Sequence, residues 1–225
     1  MALTFAGRTF VLRIDRSPID ERTTLAGDLA FLMQRDVRPI VVAPTTDVAR
    51  SYVRALNRQT NVAVGLSGAD AALLPAGPSD AVGRVQTGIL ATLTEAGYIP
   101  VIEPTAYALH GGDVEIAADH VAGAIAAATD AARAIFFHVA GGVIDPDSNV
   151  LMSELTPAEA LAQAEREDLD ADLRMMMRAA ALVVRAGVGA AQILDGRIAH
   201  AAIVEFLTDQ HLGTQVAGTV FLGAA

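Results

Sequence analysis

Strand-length apolar runs alternate with helical patterns along the whole of this chain, and that alternation leaves few architectures open. The segments Arg8–Ile14, Pro39–Ala43, Asn61–Leu66, Tyr98–Glu103, Ala134–Val139, Ala190–Leu194 and Gln215–Leu222 read as strands. Between them, Ile19–Gln34, Asp47–Leu56, Gly88–Ala96, Asp119–Arg133, Thr156–Arg166, Leu173–Ala186 and His200–Thr208 carry helical patterns. Strands separated by helices of this length require crossover connections, which place helices on both faces of a mainly parallel sheet. The expected class is α/β: a three-layer αβα sandwich around an open, mainly parallel sheet. Local chemistry agrees with this reading. Thr156 followed by Glu159 is a capping-box signature, and Gly187 stands where a left-handed helix end is expected. Ala71–Gly83, with two Pro and two Gly, reads as a loop or hairpin.

Composition removes whole classes of chemistry. The 225 residues hold no Cys, and all 16 basic residues are Arg. Without Cys there is no disulfide framework, thiolate metal site or Cys nucleophile. Without Lys there is no Walker lysine and no Schiff base. A net charge of −10 lacks the basic footprint that nucleic acid requires, so no nucleic-acid partner is expected. No uncharged run reaches the roughly 18 apolar residues of a membrane span, and no signal peptide is visible, so the expectation is a cytoplasmic protein with no membrane partner. Large Ala- and Val-rich helices that need covering point to a homo-oligomer.

Three stretches carry a resemblance. Val64-Gly-Leu-Ser-Gly-Ala-Asp70 is similar to the AVGLSG-D strand-turn of acetylglutamate kinases. Gly97-Tyr-Ile-Pro-Val-Ile-Glu-Pro104, with Ile116-Ala-Ala-Asp119, resembles their GYIPVI-P and N-AD-A blocks. Ala186–Gly196, then His200, Glu205 and Leu212-Gly-Thr214, resembles the C-terminal GGV-A-HI-DG and GT elements. Their order and spacing resemble the amino-acid kinase family, nearest to acetylglutamate kinase and its carrier-protein-dependent relatives in arginine and lysine biosynthesis. The resemblance implies one amino-acid-kinase-like domain over 1–225, with an acceptor-side lobe at 1–105 and a nucleotide-side lobe at 106–225. It also implies ATP-dependent phosphorylation of a carboxylate, which rests on neutralising charge around the moving phosphoryl group.

Set against the family's motifs, most phosphate-handling parts are replaced. Where relatives end the first strand in Lys-x-Gly-Gly, this chain reads Arg13-Ile14-Asp15-Arg16. Arg13 keeps the charge, whereas Asp15 would repel phosphate. The His-Gly-Gly-Gly turn after the second strand is Ala43-Pro44-Thr45-Thr46, with an N–H lost at Pro44 and side chains added at both Thr. The Gly-Gly-Met-x-x-Lys helix start becomes Ala171–Met176, which aligns Met176 with the lost catalytic lysine. The family's Thr-Asp after the strand near residue 137 is His138-Val139, and a long segment of relatives is missing between Arg54 and Asn61. Asp119, which in the family organises the two lysines, is retained.

The candidate catalytic set is therefore Asp119, Arg13, His120 and His138, and the candidate ligand-binding set is Arg16, Ser67, Gly68 and Asp15. Each has a structural alternative. Asp119 could be a helix-start carboxylate, and Arg13 and Arg16 could form salt bridges with Asp15, Asp20 or Asp119. Ser67-Gly68 could be a plain turn. Met175–Met177 could be core, and the acidic run Glu165–Asp172 a solvated helix end. His110, His120 and His138 match no metal-ligand spacing, so no metal is expected. Three functions compete. The first is a kinase-like protein without phosphoryl transfer, which needs no cofactor and binds a small carboxylate or acyl-amino acid, with a carrier protein or an active paralogue as partner. The second is a repurposed enzyme with a new Asp/His/Arg site. The third is an active kinase in which Arg replaces Lys, for which ATP and Mg would be required.

Overall fold

The computed structural model describes residues 5–15, 25–59, 61–78, 81–108, 111–207 and 211–218. Arg16, His110 and the start of the first expected helix lie outside the described residues. The strands are β1 (Thr9–Arg13), β2 (Arg38–Val42), β3 (Ala63–Leu66), β4 (Ile99–Ile102), β5 (Thr105–Tyr107), β6 (Asp113–Glu115), β7 (Arg133–Phe137), β8 (Glu154–Leu155), β9 (Ala190–Leu194) and β10 (Thr214–Ala217). The helices are α1 (Leu25–Met33), α2 (Thr46–Gln59), α3 (Gly88–Glu95), α4 (Ala118–Ala128), α5 (Pro157–Gln163), α6 (Ala171–Arg185) and α7 (Ala201–Leu207). Eight strands form one sheet in the order β3-β4-β2-β1-β7-β9-β10-β8. It is parallel from β3 to β9, and β10 runs antiparallel to β9.

Period-two alternation sorts side chains into two cores. Phe10 and Leu12 of β1 pack with Leu29, Leu32, Tyr52 and Leu56 beneath α1 and α2, with Ala201 and Ala202 of α7 on the same side. Val11 joins Ile40, Val42, Phe136, Val121, Ile125 and Met177 beneath α3–α6. This is the expected three-layer α/β arrangement. Each fully buried Phe or Leu contributes about 1.5–3 kcal/mol. The alternation also has a directional consequence, because Arg13, two residues beyond Val11, shares the face of α4 and α6.

Helix ends follow the sequence where side-chain caps exist. Thr156 Oγ1 accepts from the Glu159 amide, and a Glu159 carboxylate oxygen accepts from the Thr156 amide at 2.7 Å. Thr156→Ala should cost about 1 kcal/mol, read as a lower urea midpoint with unchanged m-value. Other boundaries move. The helix expected over Asp119–Arg133 ends at Ala128, because Arg133 opens β7. α6 starts two residues earlier than expected, where Asp170 caps it by accepting from the Asp172 and Leu173 amides. The β5–β6 hairpin and the two-residue β8 are additions to the expected set. On the opposite face, α1 and α7 are joined by His200 Nδ1 and Asp28 Oδ1 at 2.7 Å. Burial pushes the Asp28 carboxyl above its ordinary value, against the pull of His200. Among the described residues no helix is long and apolar enough to cross a membrane.

Candidate functional site

Parallel strands deliver their C-terminal ends to one edge of the sheet, where the following helices begin, and ligand crevices of open α/β folds form there. Here that edge carries a cleft of about 500 Å³. Its walls are Arg13 at the end of β1, Pro44–Thr46 where β2 passes into α2, and Pro104–Thr105 between β4 and β5. Glu115 ends β6, Ile116–Asp119 lead into α4, and Asp172 and Met175 face in from the first turns of α6.

At its floor, Arg13 Nε lies 2.9 Å from Asp119 Oδ1, with the two side chains only 6% and 2% exposed. The contact is an ion pair without hydrogen-bond alignment, so neither atom has a hydrogen-bond partner although both are sealed from water. Burial pushes the Asp119 carboxyl up, Arg13 opposes that rise, and the negative charge of Asp172 adds to it. Asp119 is not the cap of α4. That position is Ala117, whose side chain makes no cap hydrogen bond, and Asp119 in the first turn accepts from its own amide instead. Thr45 Oγ1 accepts from the Val48 amide at the start of α2, and Thr46 Oγ1 donates to Glu103.

The structure brings together Arg13 and Asp119, with His120 next to Asp119 but exposed on α4 toward an apolar groove lined by Gly123, Leu182 and Val183. It does not bring His138 to the same cleft. His138 shares the face of Phe136 and meets the cap of α6, its Nε2 3.5 Å from Asp170 Oδ1 and its Nδ1 accepting from the Ala140 amide at 3.1 Å. The four-residue acid–base constellation expected from sequence is thus divided between two places. Met176, aligned with the relatives' lysine, is fully buried in the α4–α6 core. Its neighbour Met175 faces the cleft instead, because one step along a helix turns a side chain by about 100°.

Ser67 and Gly68 do not line the cleft. The Ser67 amide and hydroxyl both donate to Asp70 Oδ2, at 2.7 and 2.9 Å. Gly68 packs against the backbone of Thr105 and Ala106. Asp15 is half-buried, and its charge acts on Arg197. Arg197 itself clasps Asp195 at 2.8 Å and donates to the Val139 carbonyl at 2.7 Å. The cleft residues that sequence reasoning missed are Glu115 and Thr105, both carried by the unexpected hairpin, together with Asp172. Asp172 was visible as part of an acidic run and of the Ala171–Met176 stretch, but not as a residue of the cleft.

The amino acid kinase family model matches residues 12–195. The acetylglutamate kinase of Synechococcus sp. (strain CC9605) is 31% identical across 96% of this chain and 91% of its own length. That of Campylobacter curvus (strain 525.92) is 36% identical across 76% of this chain and 64% of its own. The matched region thus spans less than two thirds of several of these relatives. In fold, the chain resembles an N-acetylglutamate synthase from Neisseria gonorrhoeae solved with coenzyme A and N-acetyl-glutamate, with a TM-score of 0.84 and 19% identity over 98% of this chain and 62% of that one. It also resembles a carbamate kinase from Giardia lamblia bound to AMP-PNP, with a TM-score of 0.67 and 13% identity over 97% and 100%. The order of the sheet, the cleft at its edge and these matches together place the chain in the amino acid kinase family, with acetylglutamate kinases among its relatives.

Proposed function

We propose that this chain is an acetylglutamate-kinase-like protein that holds a small carboxylate ligand, the class to which acyl-amino acids belong, without transferring a phosphoryl group to it. The observation that carries this reading is the pairing of Arg13 with Asp119. Phosphoryl transfer depends on cations placed around the moving group. The guanidinium nearest the reacting position is already matched by a buried carboxylate, and α6 contributes Asp172 and Met175 where a cation would be needed. Arg197, farther along the same edge, is matched in turn by Asp195. Each missing interaction costs a few kcal/mol of transition-state stabilisation, about two or more decades of rate apiece.

The test is a turnover assay with Mg-ATP and N-acetylglutamate, trapping any acyl phosphate with hydroxylamine, alongside calorimetry of the carboxylate alone. Heat of binding without hydroxamate is the expected result. Hydroxamate formed in proportion to enzyme would overturn the reading and favour the kinase in which Arg13 replaces lysine.

A further inference from the structure

We propose that α6 is the surface through which two copies of this chain pair, the two helices lying antiparallel across a two-fold axis that passes between Arg178 and Ala179. The inference goes beyond the reading above and stands without it.

The outward positions of α6 form one stripe. Asp172, Met175, Arg178, Leu182 and Arg185 are exposed, whereas most residues between them are buried. Their spacing of three and four residues keeps them on one side of the helix. Met175 and Leu182 are 38% and 55% exposed, so the stripe leaves apolar surface in water at two places one heptad apart. Beside Leu182, α4 and α6 enclose an apolar hollow of about 270 Å³ lined by Gly123, Ala124, Ala179 and Ala186 among others.

Charge decides what covers this stripe. Its start is acidic and its end basic, with Asp172 in the first turn and Arg185 in the last. Among the described residues neither has an ion-pair partner, whereas Arg178 between them is held by Glu165 at 3.0 Å. A helix with that polarity is complementary to itself turned end for end. With the axis between Arg178 and Ala179, Asp172 comes opposite the partner's Arg185, and Met175 opposite the partner's Leu182. Every such contact occurs twice, as in any isologous pair. A parallel arrangement would instead set Asp172 against the partner's Asp172 and lose the dipole compensation of opposed helices. Ala179 at the midpoint permits close approach, and Met is flexible enough to fill the hollow beside the partner's Leu182. A net charge of −10 on each copy opposes association elsewhere, so a face that carries its own arginines is where two copies can meet. Pairing also reaches the cleft. Asp172 and Met175 belong to its wall, so the partner's Arg185 stands at its rim, and each copy completes one side of the other's site.

Sedimentation equilibrium of the full chain from about 1 to about 200 μM tests this. A single helix pair lies at the small end of specific interfaces, so a dimer dissociating on the order of 10 μM is expected. Leu182→Arg should give a monomer with an unchanged far-ultraviolet spectrum, since the side chain is exposed. Asp172→Arg and Arg185→Asp should each weaken the dimer about tenfold or more, by setting like charges together twice, and the double exchange should restore it to within about threefold. Asp170, not Asp172, caps α6, so these variants should fold. A chain that stays monomeric throughout this range overturns the inference and leaves the stripe to a different partner. A dimer indifferent to Leu182→Arg, or a double exchange that restores nothing, also overturns it.

Discussion

Gly68→Ala should abolish soluble, cooperatively folding protein, or lower its stability by an amount on the order of 4 kcal/mol or more. A Cβ at Gly68 would sit 2.1 Å from the Thr105 carbonyl oxygen and 2.8 Å from the Ala106 Cα. Both are backbone atoms of β5, and the Gly68 carbonyl already accepts the Leu74 amide, so the turn cannot retreat without losing that bond. Ser67→Ala is the control. It removes one hydroxyl contact to Asp70 at the surface and should cost no more than about 1 kcal/mol. Urea titrations of both variants distinguish a turn that holds β3 against the β5–β6 hairpin from one kept for a ligand. In the second case the two variants would unfold alike, with only binding impaired. Gly213, in the last of the family-like stretches, belongs to the same category, since its Cβ would lie 2.0 Å from the Ile193 carbonyl oxygen. Glycines that read as family motif thus serve here as places where backbone approaches backbone.

Much of the fold was legible in the sequence because apolar period fixes both element type and face. The run from Phe10 to Arg13 could be sorted between two cores from alternation alone, and Thr156–Glu159 specified a helix start to the residue. What escaped the sequence depends on contacts between distant segments. β8 is two residues long and exists because β10 offers it an edge, with Gln215 and Val216 opposite Glu154 and Leu155. The β5–β6 hairpin contains Gly111-Gly112 and no apolar period, so nothing local announces it, yet it supplies Thr105 and Glu115 to the cleft. The site shows the same division. Arg13 and Asp119 were found by motif, whereas the separation of His138 follows from Asp170 capping α6 within reach of its ring. Motif alignment placed Met176 at the lysine position, and the helical phase of α6 turned that side chain into the core.

Cutting the Arg13–Asp119 pair from one side should be far more damaging than removing it whole. Asp119→Leu leaves a guanidinium that cannot give up its proton inside the floor of the cleft, and should cost about 3–5 kcal/mol at every pH where the protein folds. Arg13→Met leaves a carboxyl that can take up a proton, so its cost depends on pH. The Asp119 carboxyl is already raised above 3.8 by burial, and Arg13 is the main influence pulling it back. Without Arg13 it rises further. A carboxyl with a raised folded-state pKa contributes stability that is fully present below its unfolded value and is lost as pH rises through the folded one. Arg13→Met should therefore lose more stability at pH 8 than at pH 5, whereas Asp119→Leu should lose nearly the same at both. The double variant, with two apolar side chains filling similar space, should return close to parental stability, giving a coupling energy of at least about 3 kcal/mol in urea titrations. That near-neutral cost is what gives the pair functional meaning. If the double variant folds as well as its parent yet no longer binds a small carboxylate that the parent binds, the charges are retained for the ligand. A double variant as unstable as Asp119→Leu alone would mean that the pair serves only to hold β1 against α4.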